Sequence, residues 1–237
     1  MRVLIVHAHP EPQSFSSSMS RTAVRVLEEQ GHEVAVSDLY AMGFNPVASA
    51  GDFGQRADPD YLVYALEQRQ GHQSGTLAPD IAAEIEKVVA CDLLILNFPI
   101  FWFSTPAILK GWIDRVFVSG QFYGGKRFYD QGGMRGRKAW VTATLGGREH
   151  MFGPNAIHGE LTDMLRPLLR GTLAYTGFEV LEPFFGYHIP YLKPEARDAI
   201  MAAFAQEVAG LAQRPALRFP RLEDFDDRLY PLAAAAS

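Results

Sequence analysis

The sequence predicts an α/β fold, a five-stranded parallel sheet with helices on both faces, and three observations carry that prediction. Short β-rich runs alternate with segments whose apolar residues repeat at helical spacing, the pattern of βα units. The run at 93–98, Leu-Leu-Ile-Leu-Asn-Phe, is apolar at nearly every position, as a strand covered on both faces must be. The chain has 237 residues, 48% hydrophobic and 21% charged, a globular composition able to bury roughly 70% of its unfolded surface without staples.

The elements follow in order. Residues 3–7 form the first strand, and Met19, Ala23, Val26 and Leu27 then mark a helix with serines ahead as caps and Gly31 just past its end. Residues 33–37 form the second strand. Pro79 and Asp80 open a helix whose face is Ile81, Ile85, Val88 and Val89. The third strand, 93–98, is central, and Ser104, Thr105 and Pro106 read as cap and first turn of a helix through Ile108, Trp112, Ile113 and Val116. A fourth strand at 139–145, a helix at 160–175 interrupted by Pro167, a fifth strand at 178–184 and a helix at 194–211 complete the set. Five strands, five helices and ordinary connections take only about 135 residues, leaving roughly a hundred in long connections. These fall at 40–78, 119–137, 148–159 and 213–237. Residues 1–212 read as one domain and 213–237 as a C-terminal extension.

Composition excludes several classes. With 22 basic and 27 acidic residues, a net charge of -5 offers no global attraction to nucleic acid. The single cysteine, Cys91, excludes an intramolecular disulfide and a multi-cysteine metal site. No apolar run is long enough for a membrane span or a signal-peptide core, so a cytoplasmic location is expected. Gly120 to Lys126 matches G-x-x-x-x-G-K, but it follows a helix and Arg127 stands where a P-loop needs Ser or Thr. The cluster Lys126, Arg127, Arg135, Arg137 and Lys138 reads as a solvated loop. His7 and His9 lie two apart on a strand but lack further ligands, so no metal is assigned.

In an open parallel sheet of order 2-1-3-4-5, ligands bind at the carboxyl ends of strands 1 and 3, where strand order reverses. Three segments leave the sheet there. His9 to Ser18 is serine-rich and begins a helix, a place where free N–H groups and the dipole favour phosphate, although G-x-G-x-x-G is missing. Pro99-Ile100-Phe101-Trp102-Phe103 is an aromatic loop suited to a planar ring, or equally to a core or a subunit interface. Thr144-Leu145-Gly146-Gly147 offers backbone N–H groups unobstructed by side chains.

Taken with Phe15, Pro106-Ala107-Ile108-Leu109-Lys110-Gly111-Trp112, Asp38-Leu39-Tyr40-Ala41-Met42 and Gly177-Phe178-Glu179-Val180-Leu181-Glu182-Pro183, these segments resemble the NAD(P)H:quinone oxidoreductase (DT-diaphorase) family of flavodoxin-like flavoproteins. The resemblance runs from Arg2 to about Leu211. It implies a flavodoxin-like homodimer with FAD, or alternatively FMN, bound non-covalently at a site shared between subunits. His9, Ser14, Phe15 and Ser16 would take the pyrophosphate and ribityl, and Pro99 to Phe103 with Thr144, Leu145, Gly146 and Gly147 the isoalloxazine. Asp114 and Arg197 match further cofactor-contacting positions, and Tyr123 of the partner would join Trp102 and Phe103 in the substrate pocket. The implied reaction is ping-pong: NAD(P)H reduces the flavin, which reduces a quinone by two electrons.

Two departures stand out. The family's Tyr and the His six residues later fall here on Phe152 and His158, so the phenolic donor is missing and His158 or Arg148 is left to support the anion. The chain also ends soon after residue 213, short of the C-terminal subdomain that long members carry near the coenzyme. Alternatives are reduction of azo, nitro or other acceptors, and a flavin-binding regulatory subunit such as those beside potassium-efflux channels.

Overall fold

A computed structural model describes residues 1–232; the alanine-rich end at 233–237, part of the expected extension, lies outside them. Strands β1 (Arg2–His7), β2 (Glu33–Asp38), β3 (Leu93–Pro99), β4 (Lys138–Thr144), β5 (Glu179–Val180) and β6 (Phe184–Gly186) form one parallel sheet ordered β2-β1-β3-β4-β5, with β6 also paired to β4. Residues of β1 and β3 alternate between two cores. Leu4, Val6, Leu94, Leu96 and Phe98 face helices α3 (Pro79–Ala90) and α4 (Ala107–Val116) through Ile81, Ile85, Val88, Leu109 and Trp112. Val3, Ile5, Leu93, Ile95 and Trp140 face α1 (Phe15–Glu29) and α7 (Pro194–Ala209) through Met19, Ala23, Leu27, Phe204 and Val208. The sheet is therefore covered on both sides, and the apolar run of β3 sits at its centre.

Four expectations are corrected. The fifth strand is not continuous: β5 pairs Glu179 with Lys138, whereas β6 pairs Phe184 with Thr142, so the strand gains one residue relative to β4. This is a bulge at Leu181-Glu182-Pro183, where Pro183 brings no N–H to the ladder. The carbonyls released there are used by other groups, because Trp140 Nε1 donates to Glu182 O and Arg214 donates to the carbonyls of Glu182 and Pro183. The helix expected at 160–175 is broken into α5 (Leu161–Met164), α6 (Arg166–Leu168) and a π-helical segment, Leu169–Ala174, around Pro167. The first residue before α4 is Pro106 and no side chain caps it, so Ser104 and Thr105 are not its caps.

The connection at 40–78 contains an unexpected helix, α2 (Tyr64–Ser74). It has little apolar face, and tertiary polar contacts hold it. Glu67 accepts from the N–H groups of Ala57 and Asp58, and Gln68 donates to Asp114 O. Beside it a buried ion pair fastens the connection to α4. Arg115 Nη2 lies 2.9 Å from Asp52 and Nη1 lies 2.7 Å from Asp80. Burial opposes ionisation of Asp52, but hydrogen bonds from Arg115 and Tyr64 outweigh it and keep the carboxyl pKa below its usual value.

The tail begins as an edge extension of the sheet. Glu182 N donates to Pro215 O and Leu217 N to Val180 O, an antiparallel attachment, while Arg214 stacks over Trp140 at 5.1 Å. No helix among the described residues is long and apolar enough to cross a membrane.

Candidate active site

The sheet brings two of the sequence-singled segments to one pocket. Ile100, Trp102, Phe103, Leu145, Gly146, Gly147, Phe152 and His158 line a cavity of about 290 Å³ beyond the carboxyl ends of β3 and β4. Pro99 lies under it, buried as the last residue of β3 and paired with Thr144, whose carbonyl accepts from Ile100 N. The two loops thus leave adjacent strands already joined.

Trp102 and Phe103 form the tip of a tight turn. Phe101 and Ser104 exchange two backbone hydrogen bonds of 3.0 Å, and the residues between them have φ of 51° and 56°. A hairpin turn with both central residues at positive φ normally carries Asn and Gly, because bulky side chains are strained there by about 1–3 kcal/mol each. Here it carries two of the three aromatics of the loop, Trp102 and Phe103. The Trp102 side chain is 96% exposed, Phe103 reaches His158 at 5.4 Å between ring centres, and Phe101 is half exposed beside them. Strained, exposed aromatics at the rim of a cleft are placed to cover something flat.

Across the cavity the glycine pair is held by its carbonyls. His188 Nδ1 donates to Gly146 O at 2.9 Å and His188 N donates to Gly147 O at 2.8 Å. Among the described residues, the N–H groups of Gly146 and Gly147 have no partner. Gly147 has no room for a side chain: an added Cβ would lie 2.8 Å from the Phe152 ring. Phe152 and His158 pack together at 5.1 Å, and the ring of Tyr187 lies 5.7 Å from Phe152. Burial, aided by Glu149 and Glu160, raises the Tyr187 pKa and keeps the phenol protonated. Neither Tyr187 nor His188 was singled out from the sequence. The only signal was two polar rings immediately after a strand end.

The serine-rich segment adjoins this pocket. Ser14 caps α1, accepting from Ser17 N at 3.0 Å, and Ser16 Oγ bonds Thr144 Oγ1 at 2.7 Å. Phe15 packs toward the core formed by α1 and α7, and the N–H of Glu11 donates to His9 Nδ1. His7 turns inward to Ser17 and does not share a site with His9.

The lining also leaves out His9, Ser14, Phe15, Ser16, Pro99, Phe101 and Thr144, which border it, and three further expected residues stand apart from it. Arg197, on α7, reaches Pro190 O with one terminal nitrogen, and its Nε is buried without a partner. Pro190 lies two residues after the His188 that clamps the glycines, so Arg197 contacts the turn that buttresses them. Asp114, on α4, pairs with Lys110 at 2.6 Å and is half exposed. Tyr123 packs against Tyr175 at 5.7 Å in the 117–137 connection. Neither touches the pocket formed by its own chain.

Cys91 and the basic cluster lie apart from this site. Cys91 is buried and its thiol pKa is pushed up to about 12 by desolvation, which leaves no reactive thiolate. The basic cluster is dispersed, with Lys126 on Asp227, Arg127 on loop carbonyls, Arg137 on Val89 O and Lys138 near Glu179.

Comparison with known proteins agrees with this geometry. The pattern of the family described as Flavodoxin-like fold matches residues 1–211. NAD(P)H dehydrogenase [quinone] 1 of Cavia porcellus is 41% identical over 226 residues, covering 95% of this chain and 82% of its own. The human ribosyldihydronicotinamide dehydrogenase [quinone] is 40% identical over 208 residues, 87% of this chain and 90% of that one. A Klebsiella pneumoniae protein described as a quinone reductase superposes with a TM-score of 0.95 at 36% identity, covering 100% of this chain and 95% of that chain.

Proposed function

The chain belongs to the NAD(P)H:quinone oxidoreductase family of flavodoxin-like proteins, and from that premise we propose that its pocket holds FAD for the NAD(P)H-dependent two-electron reduction of quinones. One observation carries the site assignment. The carbonyls of Gly146 and Gly147 are clamped by His188 while their N–H groups remain free beside an aromatic cavity. Free, preorganised N–H donors beside a planar slot suit a heteroaromatic ring that gains negative charge.

The residues fit the group. Bound flavin supplies the capacity to accept a hydride from one substrate and give it to the next. Ile100, Leu145 and the Gly146-Gly147 backbone would hold the ring, and Trp102 and Phe103 would cover it against water. Ser14, Phe15 and Ser16 at the start of α1, with His9, would take the phosphate end. The unpartnered Arg197 Nε favours FAD over the shorter FMN, because it offers a buried donor outside the ring pocket. A quinone that receives a hydride becomes an anion, and His158 is the titratable side chain lining the pocket that would supply a proton to it, with the Trp102 indole N–H as a further donor at the rim. Phe152 supplies a wall to the same pocket but no hydroxyl.

The reading extends to a cytoplasmic homodimer in which Tyr123 of the partner subunit completes the substrate pocket. The C-terminal tail, residues 213–237, is proposed as an extension to the domain at 1–212.

The test is a visible spectrum of the purified protein, followed by NADH and NADPH consumption with and without menadione. A yellow protein whose nicotinamide oxidation depends on menadione is expected. A protein that cannot be loaded with flavin would remove the site assignment. A loaded protein that oxidises no nicotinamide donor would favour the flavin-binding regulatory alternative, in keeping with the missing hydroxyl at Phe152.

A further inference from the structure

Beneath the serine-rich segment lies a polar network buried to a few percent exposure or less: His7, Ser16, Ser17, Asn97, Thr142 and Thr144. Its hydrogen-bond directions are determined. Ser16 O accepts from Asn97 at 2.8 Å and Thr142 Oγ1 donates to the other end of that amide at 2.9 Å. A carbonyl can only accept, so the Asn97 nitrogen points toward Ser16, and the same NH₂ lies 2.8 Å from His7 Nδ1. His7 Nδ1 must then be the acceptor, which makes the ring the neutral tautomer with its proton on Nε2. That proton is donated to Ser17 Oγ at 3.0 Å, and Ser17 Oγ donates in turn to Glu11 O at 2.9 Å.

The network joins four elements. His7 ends β1, Asn97 lies in β3, Thr142 and Thr144 lie in β4, and Ser16 and Ser17 form the first turn of α1. Ser14 Oγ, the cap of that turn, also lies 2.9 Å from Ser17 Oγ. Through Ser16 and Thr144 the chain of bonds reaches the strand end from which Leu145-Gly146-Gly147 departs.

We propose that His7 is a positioning residue that holds the α1 turn in its phosphate-binding form only while the imidazole is neutral, making flavin retention sensitive to mild acid. The proposal rests on the flavin reading. Protonation would place an N–H at Nδ1 against the Asn97 NH₂, two donors facing each other in a buried site. One of the two partners must then turn away: movement of His7 breaks the link from β1 to Ser17, movement of Asn97 breaks the link from β3 to Ser16, and either loosens the α1 turn. The charged groups around His7 are Asp38 of β2, its neighbour in register, His9 of the following loop, and Arg21 of α1, with Arg25 and Glu28 further along the same cleft. Asp38 and a hydrogen bond to the Asn97 backbone both favour the cation, but the Asp38 carboxylate is already accepting from the N–H groups of Tyr40 and Ala41, and His9 and Arg21 oppose a further positive charge. Desolvation dominates and lowers the His7 pKa below the ordinary 6.5. The neutral ring's contribution is therefore complete above pH 6.5 and is lost as pH falls through the lowered folded-state value.

The discriminating variants are His7→Gln and His7→Leu. Glutamine can accept with Oε1 and donate with Nε2 but cannot be protonated, whereas leucine keeps bulk and loses both bonds. Flavin dissociation constants measured by fluorescence between pH 7.5 and pH 5 should rise about tenfold with acid in the wild type and stay flat in His7→Gln. His7→Leu should bind weakly at every pH. Amide exchange at residues 14–18 of the flavin-free protein, corrected for the intrinsic effect of pH, should follow the same pattern. Equal pH profiles in the wild type and His7→Gln, by either measurement, overturn the proposal and leave the flavin reading standing. If the wild type binds no flavin yet its 14–18 amides loosen in acid and those of His7→Gln do not, the flavin reading fails and the role of His7 in ordering the turn survives.

Discussion

Phe152 stands in the pocket where the family resemblance implies a tyrosine. Its Cζ lies 3.0 Å from where a Cβ on Gly147 would stand, so a hydroxyl added there would project beside the glycine backbone that we assign to the flavin ring. A donor at a site of developing charge is worth a factor of about 10² to 10³ in rate where no other donor serves it, and less where His158 and the glycine N–H groups already do. Phe152→Tyr should therefore raise kcat for menadione about tenfold with little change in KM, as read from steady-state kinetics. An unchanged kcat would mean that His158 and the two glycine N–H groups already suffice. The glycine pair and His158 were legible in the sequence because their spacing matched a family pattern. The clamp by His188 was not, since a histidine that secures carbonyls across a fold leaves no periodic trace. His7 was visible only as one member of a histidine pair, and its burial, which gives it meaning, is a tertiary fact.

At the scale of elements, what could be read was what local patterning determines. Strands β1 and β3 and helices α1 and α3 declare themselves through apolar runs and 3.6-residue repeats. The fifth strand did not, for a physical reason: with a bulge inside it, Val180 and Phe185 face one core while Leu181 and Phe184 face the other. That order breaks strict alternation. Helix α2 was missed because its stability comes from partners remote in sequence. The ion pair that anchors its connection makes the point testable. Arg115 and Asp52 are both about 4% exposed or less, and removing one partner of a buried pair costs about 3–5 kcal/mol. Arg115→Leu should lower stability by that amount in urea unfolding, whereas the double variant Arg115→Leu/Asp52→Leu should recover part of the loss. Equal destabilisation by the two would show that the shape of the site matters more than its charge.

For the whole molecule, the exposed apolar residues are unevenly spread. Met42, Val47, Tyr61, Leu62, Val63 and Leu66 are exposed within the 40–78 connection, and Trp102 and Phe103 are exposed at the pocket. Exposed apolar residues gathered in one connection suit a surface that meets another, and a second copy of the chain fits the homodimer proposed above. Sedimentation equilibrium should return twice the chain mass, and Tyr61→Glu with Leu66→Glu should return the single mass with reduced quinone turnover. A wild-type monomer with full activity would remove the shared-site proposal. The turn at Trp102 and Phe103 has one consequence for the history of such a chain. Exchanging the pair for Asn-Gly would relieve unfavourable backbone angles, so selection for robustness alone would favour losing both aromatics. Their presence in so costly a conformation records a compromise in which tolerance to heat and to other mutations was surrendered locally to keep a cover over the cleft.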